Sequence, residues 1–246
     1  MPRGVNSEPR ALIVTPTYNE RANLETFVAE VRAAAPHADL LIVDDASPDG
    51  TGDLADEIAQ GDDKVRVMHR AGKLGLGSAY VKAFRWGLGR DYQHFFEMDA
   101  DLSHQPKYLD DFFRELRNGA DVVVGSRNVP GGAVEGWGLG RQVLSKGGSL
   151  YSRVILGVPI RDLTTGFKAF RREVLEKIDL ETVHSNGYSF QIEMTYRALR
   201  RGFRIVEVPI VFVDRTLGSS KMNGKIFAEA VGVVWKLRGE ALVGKL

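Results

Sequence analysis

Short apolar segments alternate with helix-like segments through the first half of this 246-residue chain. The apolar segments are rich in β-branched and aromatic residues and run over Ala11 to Thr15, Leu40 to Val43, Val65 to His69, His94 to Met98 and Asp121 to Gly125. Between them, apolar residues recur three and four positions apart, which is the spacing of a helix with one buried face. This alternation predicts an α/β fold in which helices flank a mostly parallel central sheet.

The second half is less regular. Residues 130–140, PGGAVEGWGLG, contain too much glycine for a helix and are predicted to form a mobile loop, either a lid over a site or an ordinary surface loop. The elements predicted after this loop are a helix over Leu139 to Leu156, a strand over Gly166 to Phe170, a helix over Phe190 to Arg200 and a strand over Arg204 to Val213. One domain over 10–246 is the simplest organisation, preceded by a flexible lead-in at 1–9.

The last predicted helix spans about 225–246 and places its apolar residues along one broad stripe with basic residues at its flanks. We expect it to pack against the chain's own sheet, with an interfacial membrane helix as the alternative. No run of eighteen apolar residues occurs, so any membrane contact is expected to be peripheral. Because the chain has no cysteine, disulfides and thiolate chemistry are excluded, and a cytoplasmic location is expected.

The net charge is only +1, but the charges are unevenly spread along the chain. Residues 37–63 contain nine Asp or Glu and no Lys or Arg, whereas residues 141–172 contain seven Lys or Arg and one acid, Asp162. The basic segment is either a surface that attracts anions or an ordinary solvated face. Charge alone leaves both readings open.

Polar residues follow four of the predicted strands, at 16–20, 44–51, 99–104 and 125–127. Because open α/β sheets bind ligands at the carboxyl ends of their strands, these segments predict one site at a single edge of the sheet. Asp99 and Asp101 flank a small residue there, and paired carboxylates suit a hard cation such as Mg²⁺ or Mn²⁺. An isolated Asp-x-Asp also occurs in solvated turns, so the motif alone does not decide.

Six segments in this order resemble the family 2 glycosyltransferases of GT-A fold, in particular the branch that mannosylates dolichyl or other polyprenyl phosphates in a single domain without transmembrane helices. The segments are TPTYNE at 15–20, VDDASPDGT at 43–51, DADLSH at 99–104, GSR at 125–127, DLTTGFKAF at 162–170 and DRTLGSSK at 214–221. The resemblance covers nearly the whole chain.

The resemblance implies a role for each matching residue at the donor side of the site. The residues implied to line the base and ribose of the nucleotide are Pro16, Tyr18, Glu20, Val43 and Asp45. Asp99 and Asp101 are implied to hold a Mg²⁺ or Mn²⁺ ion that bridges the diphosphate, with Ala100 close to the nucleotide. The implied phosphate-binding residues are Arg127, Arg215 and Lys221, and the implied catalytic set is Asp99, Asp101, Arg127 and Arg215.

At the acceptor side, the residues implied to bind or orient the lipid phosphate are Arg141, Ser145, Asp162 and Lys168. For Asp162, pairing with Arg161 or Lys168 is the alternative. Many relatives have Gln where this chain has Ser103, and that Gln can reach the metal ion. Because a serine hydroxyl is shorter, Ser103 is expected to act through water if it contributes to the metal site, or His104 contributes in its place.

The implied reaction is transfer of mannose from GDP-mannose to dolichyl or polyprenyl phosphate, with inversion to a β-linked product, at the cytoplasmic face of a membrane. The alternatives are a polyprenyl-phosphate glucosyl- or aminosugar transferase that uses a UDP-sugar, a sugar nucleotidyltransferase, and a non-catalytic lipid-phosphate- or nucleotide-binding protein. The chain lacks the G-x-G-x-x-G and GxxxxGK[ST] motifs, which excludes Rossmann oxidoreductases and P-loop NTPases. No nucleic acid and no obligate protein partner are expected.

Overall fold

A central sheet of seven strands organises the computed structural model, which describes residues 9–214 and 224–244. Its strands are β1 (Ala11–Thr17), β2 (Asp39–Asp44), β3 (Val65–His69), β4 (His94–Glu97), β5 (Val122–Ser126), β7 (Lys168–Arg171) and β8 (Ile205–Pro209). Two short strands, β6 (Ala133–Glu135) and β9 (Val211–Val213), pair in parallel as a separate sheet. The order in the central sheet is β3-β2-β1-β4-β7-β5-β8, and only β7 runs antiparallel to its neighbours.

Helices cover both faces of the central sheet. They are α1 (Arg21–Ala34), α2 (Thr51–Gly61), α3 (Leu76–Leu88), α4 (Leu109–Arg117), α5 (Leu139–Leu156), α6 (Arg172–Lys177), α7 (Gly187–Arg200) and α8 (Gly224–Leu242). One apolar core lies between the sheet and α1, α2 and α4, and a second lies between the sheet and α3, α6 and α7. The predicted α/β fold with a mostly parallel central sheet flanked by helices is therefore confirmed.

Three of the predicted elements differ from those observed. The predicted strand at 204–213 is two strands, because β8 joins the central sheet and β9 leaves it to pair with β6. The glycine-rich segment 130–140 is not wholly a loop, since it contributes β6 and buries Trp137. Helix α7 begins at Gly187, three residues before the predicted start, and all residues from Ser189 to Ala198 are buried. Glycine content hid both the short strand and the early helix start.

Helix α8 packs against other helices. Its buried residues Val234, Leu237 and Ala241 form a third apolar core with residues of α5 and α7, including Leu156 and Tyr196. The helix therefore rests on the helical layer, and not on the sheet as the sequence predicted. None of the helices in the described ranges is long and apolar enough to span a membrane. The predicted lead-in at 1–9 lies, except for position 9, outside the described residues.

Candidate active site at the carboxyl edge of the sheet

A cleft of about 300 Å³ opens at the carboxyl edge of the central sheet. The segments that follow β1, β2, β4 and β5 meet there, as predicted from their polar residues. The predicted site residues that line it are Pro16, Tyr18, Glu20, Asp45, Asp99, Ala100, Asp101, Arg127 and Arg141. Asp99 and Asp101 therefore share one cavity with Arg127, one of the three phosphate-binding residues that the resemblance implies.

The remaining predicted residues lie elsewhere. Val43 is fully buried in the apolar core, and the residues Ser103, Ser145, Asp162 and Lys168 do not line the cleft. Arg215 and Lys221 lie outside the described residues. Val43 does not line the cleft because it still lies within β2, where side chains on both faces of the central sheet are buried.

A tight turn after β4 presents the two aspartates. Leu102 has a φ of 61°, which reverses the chain, and the Ser103 N–H donates to Asp101 Oδ1 at 3.0 Å. The Asp99 N–H points at His104 Nδ1, 3.4 Å away. Burial lowers the pKa of His104 to about 4, so the neutral ring can accept this hydrogen. Ser103 is buried beneath the turn, and its Oγ makes no hydrogen bond within the described part of the chain.

Arg127 is held by a buried carboxylate. Its Nε and Nη2 donate to the two oxygens of Asp162 at 2.7 and 2.8 Å, and its backbone N–H donates to Oδ2 at 3.0 Å. Burial alone would raise the pKa of Asp162, but the Arg127 guanidinium outweighs burial and lowers it. Asp162 is fully buried and does not reach the cleft, so it can act on a ligand only indirectly, through Arg127 or through Thr164, which also donates to it. The alternative reading, in which Asp162 pairs with Arg161 or Lys168, is therefore wrong.

Arg141 stands where the cleft meets a second, smaller cavity of about 60 Å³. Its Nη1 donates to Asp214 at 3.0 Å, and its guanidinium lies 4.0 Å from the ring centre of Trp137. Ser145 lines the second cavity, one turn further along α5. The side chains that give this cavity its apolar character are Leu144, Tyr151, Ile192 and Val231. The two cavities share the residues Trp137, Arg141, Thr164 and Tyr188.

A network around Asp45 forms the opposite end of the cleft. Arg70 Nη1 donates to Asp45 Oδ1 at 2.7 Å, and the Leu74 N–H donates to Oδ2 at 3.2 Å. Burial raises the pKa of Asp45 in spite of Arg70. Lys73 lies with its ammonium 4.2 Å from the ring centre of Tyr18. Asp45 is therefore fixed in place by the segment that follows β3.

The predicted role of Lys168 in binding the acceptor phosphate is wrong. Lys168 is fully buried, and its Nζ donates to the backbone oxygen of Gln191 at 2.6 Å and to Gln191 Oε1 at 2.8 Å. Burial lowers the pKa of Lys168 to about 8 and raises that of its strand neighbour Glu97 to about 7. An ammonium held under the floor of the cleft cannot bind an incoming phosphate.

Sequence reasoning missed several residues that line the cleft. They are Lys73, Trp137, Thr164, Tyr188, Gln191 and Phe212. Lys73 follows β3 at the carboxyl edge, so the rule that identified the other strand ends applied to it as well. Trp137 was hidden in the glycine-rich segment, and Tyr188 precedes the residue at which its helix was predicted to begin. Gln191 lies within the predicted helix but in none of the motif segments. Phe212 belongs to the strand that had been merged with β8.

The strand order with one antiparallel strand, and the paired aspartates after β4, define the GT-A class of glycosyltransferase folds. The family profile described as "Glycosyl transferase family 2" matches residues 12–179. The chain belongs to glycosyl transferase family 2.

Two relatives are similar over almost their whole length. The polyprenol monophosphomannose synthase of Mycolicibacterium smegmatis is 53% identical over 241 residues, covering 97% of this chain and 91% of that protein. The undecaprenyl-phosphate mannosyltransferase of Micrococcus luteus is 52% identical over 222 residues, covering 90% of this chain and 91% of that protein.

Solved structures share the fold at lower identity. Glucosyl-3-phosphoglycerate synthase from Mycobacterium tuberculosis, in complex with Mn²⁺, UDP and glucosyl-3-phosphoglycerate, superposes with a TM-score of 0.71 at 20% identity, covering 95% of this chain and 81% of that one. The mannosyltransferase PcManGT from Pyrobaculum calidifontis, in complex with GDP-mannose and Mn²⁺, superposes with a TM-score of 0.58 at 17% identity, covering 97% and 75%.

Proposed function

We propose that this protein transfers mannose from GDP-mannose to a polyprenyl phosphate, giving β-linked polyprenyl phosphomannose and GDP. The observation that carries the proposal is one cleft that holds Asp45, the Asp99–Asp101 turn and Arg127, and that opens into an apolar cavity at Arg141. A nucleotide sugar and a lipid phosphate need such adjoining polar and apolar spaces. Two relatives that are more than 50% identical to this chain are named for mannose transfer to polyprenyl phosphates, which supports mannose as the sugar and a polyprenyl phosphate as the acceptor.

The residues at the β4 turn fit a divalent ion. The two carboxylates of this turn, Asp99 and Asp101, line the cleft, and no group of three His, Cys, Asp or Glu able to hold a metal occurs within 9–214 and 224–244. Mg²⁺ and Mn²⁺ commonly bind through one or two carboxylates and complete their coordination with substrate phosphates. Asp99 and Asp101 would hold the ion. When bound, it would offset the negative charge that develops on the departing diphosphate.

The reaction needs no strong base, because a lipid phosphate is already anionic at neutral pH. An oxygen of that phosphate attacks the anomeric carbon while the bond from this carbon to GDP breaks, so a single displacement inverts the configuration. The obstacle is repulsion between two anions, which amounts to roughly 4 kcal/mol for unit charges 4 Å apart at an effective dielectric of 20. Arg127, pinned by Asp162, and Arg141 reduce this repulsion from fixed positions.

The acceptor is proposed to bind at the junction of the two cavities. Arg141 and Ser145 would contact its phosphate, and the apolar second cavity would take the first part of the lipid. The chain's surface near this junction supports peripheral contact with a membrane, because one side of α5 exposes the apolar residues Leu139, Val143, Leu150 and Val154. On the neighbouring α8, Trp235 and Leu242 are also exposed.

The test is a reaction of purified protein with Mg²⁺ or Mn²⁺, undecaprenyl phosphate, and GDP-mannose, UDP-glucose or UDP-N-acetylglucosamine in parallel. We expect glycolipid from GDP-mannose alone, with the β configuration by NMR and with GDP released. An α-linked product would refute the single displacement. Product from a UDP-sugar would refute GDP-mannose as the donor. In a separate reaction, pyrophosphate release from GTP and mannose 1-phosphate would indicate a nucleotidyltransferase.

The Asp101→Asn variant separates an enzyme from a binding protein. Removing one anionic ligand is expected to reduce kcat/KM by at least about 100-fold, or about 2.7 kcal/mol. Binding of undecaprenyl phosphate in detergent should be nearly unchanged. Full turnover by this variant would contradict the role of the two aspartates.

A further inference from the structure

A buried polar cluster lies directly beneath the cleft, on the face of the sheet that α3 and α7 cover. Glu97 is the last residue of β4 and Lys168 is the first residue of β7, and the two are opposite each other across the antiparallel ladder. Both are fully buried, and Gln191 of α7, 2% exposed, packs onto them. We refer to these three residues as the anchor cluster.

Lys168 of β7 binds helix α7 at one residue, Gln191. Its ammonium donates to both the main-chain oxygen and the side-chain oxygen of Gln191, at 2.6 and 2.8 Å. The amide nitrogen of Gln191 faces Glu97, although no hydrogen bond within 3.5 Å joins them. Since one charged group holds the backbone and the side chain of the same residue, the helix can neither slide nor turn on the strand without breaking a charge-assisted bond.

Both ends of the anchor cluster continue into the cleft. Glu97 precedes Asp99 by two residues, and Tyr188 lies about one turn before Gln191 on α7. Tyr188 lines the cleft and the second cavity, and it lies close enough to Arg127 to contribute to that group's raised pKa. The cluster therefore spans from the wall that carries the two aspartates to the wall that faces Arg127.

Stability alone does not account for these groups. Burying a carboxylate and an ammonium costs several kcal/mol of desolvation for each ion, and apolar side chains of similar volume are often as stabilising or more so. The surroundings are apolar, with Phe170, Phe190 and Met194 in the same core. What a charged cluster provides and an apolar one does not is a directional contact.

We propose that Glu97, Lys168 and Gln191 are positioning residues that set the separation between the Asp99–Asp101 turn and Tyr188 of α7, and so the fit of the sugar between them. This inference rests on the proposed function, because the fit concerns the donor sugar and the incoming phosphate. Glu97 and Lys168 do not line the cleft and act through its two walls, whereas Gln191 is part of the α7 wall.

The experiment measures kcat and KM for GDP-mannose and the Kd for GDP with Mg²⁺ in wild type, in Lys168→Met, and in the double variant Glu97→Gln with Lys168→Met. Because a shift of about 1 Å can cost on the order of 100-fold in rate, we expect kcat to fall at least about tenfold in both variants. The Kd for GDP should change by less than about threefold, since Tyr18 and Asp45 follow β1 and β2 and not the strands of the anchor cluster. The double variant should regain thermal stability relative to Lys168→Met without regaining kcat.

Two further variants distinguish positioning of the cleft walls from a purely stabilising role. Gln191→Leu leaves Glu97 and Lys168 in place but removes the side-chain hydrogen bond between Lys168 and α7, so it reports on positioning even if Lys168→Met does not fold. Arg197→Met is the matched control, because Arg197 pairs with Glu193 at 2.7 Å on the same helix, is buried and does not line the cleft. It should lower stability and leave kcat within about twofold.

The outcomes separate this inference from the function on which it rests. If kcat returns with stability in the double variant, if Gln191→Leu keeps full kcat, or if Arg197→Met loses as much kcat as Lys168→Met, the anchor cluster only stabilises the fold and the proposal is overturned. A wild-type protein that forms no glycolipid overturns the proposed function and this inference together.

Discussion

Replacing Arg127 by Met leaves Asp162 buried with no cation beside it, and the consequence can be worked out from the structure. The Asp162 side chain is fully buried and that of Arg127 is 5% exposed, so solvent screens neither charge. The variant loses three hydrogen bonds that the guanidinium makes, two to Asp162 and one to Thr164. Removing one partner of a buried ion pair costs about 3–5 kcal/mol. We expect this loss in the free energy of unfolding at neutral pH.

The loss should depend on pH, and its sign follows from the pKa of Asp162. In wild type Arg127 lowers this pKa below its ordinary value of 3.8, so the stabilisation is present above about pH 4 and is lost as the pH falls through the lowered value. In the variant the guanidinium no longer lowers the pKa, and burial raises it against the remaining hydrogen bonds from the backbone N–H of residue 127 and from Thr164. The folded variant then binds more protons than the unfolded chain, so its free energy of unfolding decreases as the pH rises from about 4 to the raised pKa.

Urea unfolding of wild type and Arg127→Met at pH 5 and pH 8, followed by circular dichroism, measures this difference. The destabilisation should be larger at pH 8 than at pH 5, and activity should be absent at both. Adding Asp162→Asn removes the unpaired charge and should recover at least about half of the lost stability, but no activity. A destabilisation below about 1 kcal/mol, or one equal at the two pH values, would refute the claim that the pair is buried and mutually dependent.

Three further outcomes are expected. Arg70→Met, which frees Asp45, should raise the KM for GDP-mannose about tenfold, or about 1.4 kcal/mol, with little change in kcat in a steady-state assay; a loss confined to kcat would contradict it. Burial lowers the pKa of His94 from 6.5 to about 4, so the unfolded chain takes up a proton that the folded protein does not. Between pH 6.5 and pH 4 the free energy of unfolding of wild type should therefore fall by about 2–3 kcal/mol more than that of His94→Gln. Urea titrations at the two pH values measure this difference, and equal losses would show that His94 is not responsible. Gly77→Ala places a Cβ 2.2 Å from the Ser185 backbone oxygen and should lower the free energy of unfolding by about 1–3 kcal/mol, whereas Gly61→Ala, with nothing within 4 Å, should be neutral or stabilising.

The donor half of the site could be predicted because it depends on local order. A parallel strand presents its next few residues at one edge of the sheet, so the residues after β1, β2 and β4 converge whatever the rest of the chain does. For this reason Tyr18, Asp45 and Asp101 were all assigned correctly to the cleft. The same rule gives no information on depth, and Val43, at the end of β2, proved to be fully buried.

The acceptor half could not be predicted in the same way, because its charges are distributed by contacts between distant residues. Arg127, Asp162 and Lys168 all lie in or beside basic or motif segments that suggest phosphate binding. Residue type does not show that Asp162 is 35 positions from its true partner Arg127, or that Lys168 binds Gln191 on the helix that covers its face of the sheet. In a low-dielectric interior each buried charge must find an opposite charge or a dipole. The number of cations in a motif is therefore not the number available to a ligand. Among the cations that line the described part of this cleft, Arg127 and Arg141 are each oriented by a carboxylate, and Lys73 lies over the ring of Tyr18.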